Sequence, residues 1–347
     1  MKQVCRIGLD IAKNKFQVHG VDKNGKDLFN KQLNRNNVLR FFANLPVCLV
    51  GMEACSGAHH WAREIEKLGH RVGLISPRLV KPFVINNKTD AADARAICEV
   101  VGRPSTQFVA VKTIDQQTLA LWHAARERRV KHRTSLANQI RSILTEFGIV
   151  LPTSIDILRR HLPAIIEDLE NGLSTAARDL LSDLYPELVD ADALVEQSDK
   201  KIKKVAQNSD ECKRIMQIPG IGPITATALV AHIGDARPFK NGRAFAAYLG
   251  LTPREYSSGG KRKLMGITKR GNVYLRKLLI QGARNVCRAW VRSLIPPTDD
   301  PHKMWVRGVS DRRGKFIASV ALANKTARIV WAVLARGEEY HFAQAHG

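Results

Sequence analysis

The chain has few cysteines and no framework for using them. Six are scattered over 347 residues, at Cys5, Cys48, Cys55, Cys98, Cys212 and Cys287, with no C-x-x-C pair. This excludes a disulfide scaffold and a zinc site, and points to reduced, mostly buried thiols. Long uncharged apolar runs are also missing. Asp10 and Lys13 interrupt the N-terminal apolar stretch, and Lys325 and Arg328 interrupt the one near the C-terminus. Neither a signal peptide nor a membrane span is expected, and no lipidation signature or basic amphipathic anchor stands out. The expectation is a soluble cytoplasmic protein with no membrane partner. Acids are the third shortage: 32 Asp and Glu face 55 Lys and Arg, a formal charge of +23. An ordinary enzyme of small metabolites does not carry that excess. It implies a polyanionic partner, most simply nucleic acid.

What is present is a folded chain, 44% hydrophobic and long enough for two or three domains. Residues 4–12 and 15–22 read as paired strands, 22–25 as a turn and 27–33 as a third strand. Residues 36–45 form a short amphipathic helix. Residues 47–52 are a buried-type strand ending at Glu53, 58–68 a helix, 71–76 another buried strand and 90–101 a helix. Three strands followed by alternating helices and strands predict a mixed α/β sheet with helices on its faces.

The scarce acids fall at informative places in this pattern. Asp10 lies on an apolar strand, Glu53 at the end of another, and Asp90 and Asp93 on one face of a helix start. The ordinary reading of the last two is helix capping and dipole compensation. A carboxylate on an apolar strand is costly to bury unless it is paired or binds a cation. Four such groups in a basic protein suggest a site for a hard divalent ion, magnesium or manganese, that meets phosphate oxygens. His59 and His60 carry no metal-ligand spacing and read as exposed histidines or phosphate contacts.

Residues 113–147 are helical and basic, with Leu136, Ile140, Ile143, Leu144 and Phe147 on one face and Arg126, Arg128, Arg129, Lys131, His132 and Arg133 crowded together. A second helix is expected after Pro186, with Leu188, Ala191, Leu194, Val195, Ile202 and Val205 at helical or heptad spacing. The pair predicts an antiparallel hairpin or coiled coil. It either spaces two domains or dimerises and tracks a nucleic-acid backbone.

Farther on, Pro219-Gly220-Ile221-Gly222-Pro223 opens a helix over 226–233 and offers backbone N–H groups to a phosphate, as a helix-hairpin-helix turn does. No buried strand leads into these glycines, so the dinucleotide fingerprint is not met. A Ser257-Ser258-Gly259-Gly260 loop follows, flanked by Arg254, Lys261 and Arg262, with Lys269, Arg270 and Arg276 beyond it as further phosphate contacts. The default reading of a Ser-Gly loop is a solvated turn. The helix over 273–287 comes next, and an apolar helix over 316–336, stopped by Gly337, is expected to pack on this domain.

Three motifs carry a resemblance: G-L-D-I-A-K at residues 8–13, M-E-A at 52–54 and N-K-T-D-A-A-D-A-R at 87–95. Together they resemble the N-terminal domain of IS110-family transposases, which carries a D-E-D-D tetrad on a RuvC-like, RNase H-type fold. The tetrad falls on Asp10, Glu53, Asp90 and Asp93. The later pattern P-R-x-x-x-S-G with G-x-T-K-x-G-N-x-x-L-R resembles the C-terminal domain of the same family, closest to its IS1111-like branch. There a serine is the nucleophile, which falls on Ser258, with Ser257 its neighbour.

The resemblance implies a RuvC-like domain over 1–110, a helical coiled-coil linker or dimerisation region over 111–210, and a mostly helical domain with the serine over 211–347. It also implies element-end and target DNA, a structured guide RNA and a homo-oligomer, dimer or tetramer, in the nucleoid of a bacterium or archaeon. A serine needs activation, and no His or Asp lies near Ser258 in sequence. The base is therefore expected from the tetrad or from another subunit. Two other readings stand beside this one: a RuvC-like junction resolvase or nuclease that uses water, and a basic nucleic-acid-binding protein whose acids only cap helices.

Overall fold

The structure, a computed structural model, describes residues 3–84, 87, 89–292 and 301–340. Asn86 and Lys88 of the acidic stretch lie outside them. The chain divides into two compact units, Met1–Thr113 and Ile114–Gly347.

In the first unit, β1 (Arg6–Ile11), β2 (Lys15–Val21) and β3 (Asp27–Asn34) form an antiparallel meander. Through α1 (Val38–Ala43) the chain reaches β4 (Leu49–Glu53), parallel to β1, and through α2 (Ala58–Lys67) it reaches β5 (Arg71–Ile75), parallel to β4. After α3 (Pro77–Val80) and α4 (Asp90–Val101), β6 (Phe108–Val109) pairs antiparallel with β5. The strand order is β3-β2-β1-β4-β5-β6, a six-stranded mixed sheet consistent with an RNase H-like domain. The two residues of β6 are too few to show an alternation, and nothing in the sequence pattern announced that strand.

Side-chain alternation gives each face of this sheet its own task. Ile7, Leu9, Val50 and Met52 are fully buried in the core shared with α2, where Trp61, Ala62 and Ile65 lie. The intervening positions face α4, and there glycine is required. A Cβ on Gly8 would run into the Ala94 carbonyl oxygen and the Cys98 backbone nitrogen, and one on Gly51 would strike the Val101 side chain. Backbone against backbone, α4 lies on β1 with its C-terminal end toward Arg6, whose guanidinium abuts Gly102.

The second unit begins with a helical hairpin. α5 (Ile114–Glu146) and α7 (Thr175–Asn208) are bridged by α6 (Ile155–Glu167). Their partners advance on one helix while receding on the other: Arg126 pairs with Asp199, Arg129 with Leu194 and Ser198, Arg133 with Asp192. The two helices are therefore antiparallel. The sequence placed the start of the second helix after Pro186, but α7 begins at Thr175, capped by Ser174, and runs through the proline. An interior proline removes one hydrogen bond, at about 3 kcal/mol. Leu181, Leu184, Tyr185 and Leu188, all packed in the hairpin core, offset that cost. Leu194 and Phe147, placed on the inner faces by spacing, are exposed.

The rest of the unit packs α8 (Asp210–Met216), α9 (Pro223–Ile233), α10 (Gly242–Tyr248), a hairpin of β7 (Pro253–Glu255) and β8 (Leu264–Ile267), α11 (Val273–Arg292), α12 (Pro301–Arg313) and α13 (Lys315–Arg336). One core joins α8 through α13. α13 is long and apolar enough to cross a membrane by length and composition. Its Ala318, Leu322, Ala323, Ala327 and Val330 are buried in this core, and Gly337 ends it in the left-handed conformation.

At the base of the hairpin sits His123, 1% exposed. Its Nε2 lies 3.0 Å from the Thr227 hydroxyl, which itself donates to the Pro223 carbonyl, and its Nδ1 lies 3.0 Å from the Tyr274 hydroxyl. Burial, then the nearby His232 and Arg126, hold its pKa at about 4 against 6.5. The unfolded chain therefore binds a proton that the folded chain refuses between those values. Stability is expected to fall as the pH drops from 6.5 toward 4 and to recover on neutralisation. Thermal melts of the wild type and His123→Gln across that window check this, and the variant should show the shallower slope.

Candidate active site

One candidate feature is an acidic edge built by the register of the first unit. Leu9 pairs with Met52, so the next residues, Asp10 and Glu53, reach the C-terminal ends of adjacent parallel strands. Asp10 follows Gly8 and Glu53 follows Gly51 by two residues, so both carboxylates point to the α4 face. α4 runs antiparallel to β1 over Gly8, which carries its first turn, with Asp90 and Asp93, toward that same end. The Cys55 thiol registers the charge: desolvation, then Glu53 and Asp10, push its pKa up.

The cap of α4 is not either aspartate. Thr89 is extended and accepts from the Ala92 N–H at 3.2 Å through its hydroxyl. Asp90 is exposed and Asp93 half-buried, and neither carboxylate makes a hydrogen bond or ion pair among the described residues. Their ordinary task is done by a neighbour.

The donor set consists of carboxylate oxygens alone, which suits a hard divalent ion. Among the described residues no three His, Cys, Asp or Glu side chains are close enough to share one ion. His59, expected to be exposed, is half-buried: its Nδ1 accepts from the Lys112 N–H at 3.2 Å, and burial, Lys112 and Arg63 hold its pKa at about 4. It is a structural residue, and His60 alone is exposed.

A separate candidate feature is the serine hairpin of the second unit. The Ser-Gly stretch is not an open loop. Ser258 and Lys261 face each other across a two-residue turn, with the Lys261 N–H donating to the Ser258 carbonyl at 3.1 Å. Gly259 (φ 56°) and Gly260 (φ 75°) both occupy the left-handed region, as a type I′ hairpin turn demands. Consecutive residues on a strand project to opposite faces, and the two serines separate accordingly. Ser257 Oγ donates to Glu255 Oε1 at 2.8 Å and accepts from the Lys263 N–H at 3.3 Å. Ser258 is exposed, and its hydroxyl has no hydrogen-bond partner among the described residues. Glu255 went unnoticed in the sequence; its two-residue spacing from Ser257 on a strand was the available signal.

The proposed phosphate contacts divide. Arg254, Lys261, Arg262, Lys269 and Arg270 are exposed, with Arg262 3.5 Å from Glu255. Arg276 is corrected: it is buried, and its guanidinium donates to the carbonyls of Leu249 at 3.2 Å and Arg270 at 3.1 Å. It holds the fold and is closed to DNA. Gly220 packs on α11, where a Cβ on Gly282 would collide with its carbonyl; Gly222 is exposed at the start of α9. The basic stretch of α5 is also largely committed. Arg126, Arg129 and Arg133 bind α7, whereas Arg128 is exposed.

Two family profiles match the chain. One is described as a transposase and bears the DEDD and IS110 designations; it covers residues 7–149, including all four acids. The other, for the transposase IS116/IS110/IS902 family, covers residues 212–295, including both serines. Similar proteins extend over nearly the whole chain. A "Probable family 20 transposase" of Pseudomonas aeruginosa is 44% identical over 340 residues, 96% of this chain and 97% of its own length. The transposase of insertion sequence element IS1111A from Coxiella burnetii is 41% identical, covering 98% of this chain and 92% of its own. That of element IS1328 from Yersinia enterocolitica is 40% identical, covering 97% and 98%.

Proposed function

This chain belongs to the IS116/IS110/IS902 family of transposases, and on that premise we propose that it cuts and rejoins DNA through a phosphoserine at Ser258. The observation that carries the proposal is the contrast on the hairpin: Ser257 is held by Glu255, while Ser258 stands exposed at the turn among cationic side chains. Ser258 Oγ attacks a backbone phosphorus, its proton leaves to a base, and one strand end departs as a hydroxyl. A hydroxyl end then attacks the phosphoserine and restores the serine. Each step exchanges one phosphate ester for another, so no nucleotide cofactor is consumed.

Asp10, Glu53, Asp90 and Asp93 would hold a divalent ion, magnesium or manganese, which neutralises phosphate charge and makes a hydroxyl easier to deprotonate. Arg254, Lys261, Arg262, Lys269 and Arg270 grip the phosphate backbone, Arg with two parallel hydrogen bonds where geometry allows. The exposed backbone at Gly222, at the start of α9, offers one further phosphate contact. The partners we propose are element-end and target DNA, a structured guide RNA and further copies of this chain. The charge of +23 supports the nucleic acids, and the family resemblance supports the RNA and the oligomer.

The test is end-labelled element DNA incubated with protein, its flanking RNA and magnesium. Labelled strands should migrate with protein in denaturing gels until a protease releases them. Strands that appear free of protein from the earliest time point would mean hydrolysis by water, the RuvC-like nuclease alternative.

A further inference from the structure

Beside the serine hairpin, within the second unit, lies a groove of about 1080 Å³. Its walls are apolar and open to solvent: Leu264 and Met265 of β8, Trp305 of α12, and Phe316 and Ile317 of α13, each between 37% and 64% exposed. Large apolar side chains gathered in one exposed place mark an interaction site. The charges around it are of one sign. Among the described residues Lys269, Arg313, Lys325 and Arg328 line it, and no Asp or Glu does. The Lys325 ammonium stands 5.0 Å from the centroid of the Trp305 ring.

An apolar helix from a protein would cover Lys269 and Lys325 without offering them a negative charge. The occupant that fits has a flat apolar face and a negative charge within a few ångströms of it, which describes an unstacked nucleotide. A base inside a duplex keeps its faces covered by its neighbours, so only an unstacked one can enter. The groove also lies at the right reach. Glu255 pairs with Leu264 at its edge, and Ser258 is three residues beyond Glu255, about 10 Å along a strand. Stacked nucleotides rise about 3.4 Å each, so the occupant belongs a few positions from the attacked phosphate.

We propose that this groove takes an unstacked nucleotide of the DNA strand flanking the cleaved phosphate, its base against Trp305, Phe316 and Met265 and its phosphate on Lys325 and Lys269. The inference rests on the reading that the hairpin meets DNA, and it does not require Ser258 to react.

The test compares a labelled oligothymidylate with a duplex of the same length, at one salt concentration, on the full chain. Trp305→Ala and Phe316→Ala are each expected to weaken oligothymidylate binding about tenfold and to leave duplex binding unchanged, with Trp305→Phe restoring the wild-type value. Equal losses on both DNAs, no loss on either, or a change in oligomeric state would overturn it. Photo-crosslinking of the wild-type protein to a 4-thiothymidine oligonucleotide avoids any dependence on variant folding. Adducts at Trp305, Met265 or Phe316 are expected, and adducts confined to other regions would contradict the proposal. Neither readout involves strand cleavage, so a failed phosphoserine assay leaves this inference standing or falling by itself.

Discussion

Ser258→Ala is expected to reduce strand cleavage by about 10⁴-fold or more, the scale on which removal of a covalent nucleophile acts, with DNA affinity unchanged. The exposed hydroxyl supports no neighbour, so its loss should not disturb the hairpin: the turn is fixed by Gly259, Gly260 and the Lys261 N–H bond to the Ser258 backbone. Ser257→Ala is the informative control. Its hydroxyl links Glu255 to the Lys263 backbone, an exposed pair of hydrogen bonds worth about 1 kcal/mol each at most. The variant should therefore retain covalent chemistry at a rate lowered by about tenfold or less. Quantified single-turnover cleavage of labelled DNA by the two variants checks the contrast, and equal losses would remove Ser258 from its role.

Asp10→Asn and Asp93→Asn should each lower cleavage by about 10³-fold while folding and DNA binding persist. The amide keeps the shape of the carboxylate but not its charge, which a divalent ion needs from its ligands. If the acids served only as helix caps, the order of effects would invert. Thr89 makes the capping bond, so Thr89→Ala should cost about 1 kcal/mol of stability and little chemistry. Asp93→Asn removes only a dipole contact of about 0.5 kcal/mol. Melting temperature and cleavage rate, measured on Asp10→Asn, Asp93→Asn and Thr89→Ala, separate the two roles. An Asp93→Asn variant that cleaves normally would exclude the metal-holding assignment for that residue.

The first unit was legible from sequence because its strands are half-buried in alternation and its turns are marked by glycine and asparagine. The helix over Asp90–Val101 is found where the pattern placed it. The packing between its elements was not legible. Gly8 and Gly51 look like unremarkable strand glycines until α4 is seen resting on them, and that contact directs the start of α4 toward the strand ends that carry Asp10 and Glu53.

The second unit hid more. Pro186 read as a boundary because local chemistry opposes proline inside a helix, whereas the hairpin core decided otherwise. Arg276 looked like its exposed neighbours Lys269 and Arg270, since a buried cation serving backbone carbonyls leaves no trace in spacing. The basic run on α5 left a spacer and a binding face equally open in the sequence because its acidic partners, Asp192 and Asp199, lie about sixty to seventy residues away. Ser257 and Ser258 could be told apart only once the strand alternation at the turn was visible.

The central claim is that a phosphate joins DNA to Ser258. Its most direct test is mass spectrometry of the peptide recovered from denatured, nuclease-trimmed complexes formed on element-end DNA with magnesium. A nucleotide mass on Ser258, absent from Ser258→Ala and present in Ser257→Ala, is the predicted result. A nucleotide on Ser257 or another residue, or cleaved DNA with no adduct at any time point, would contradict it.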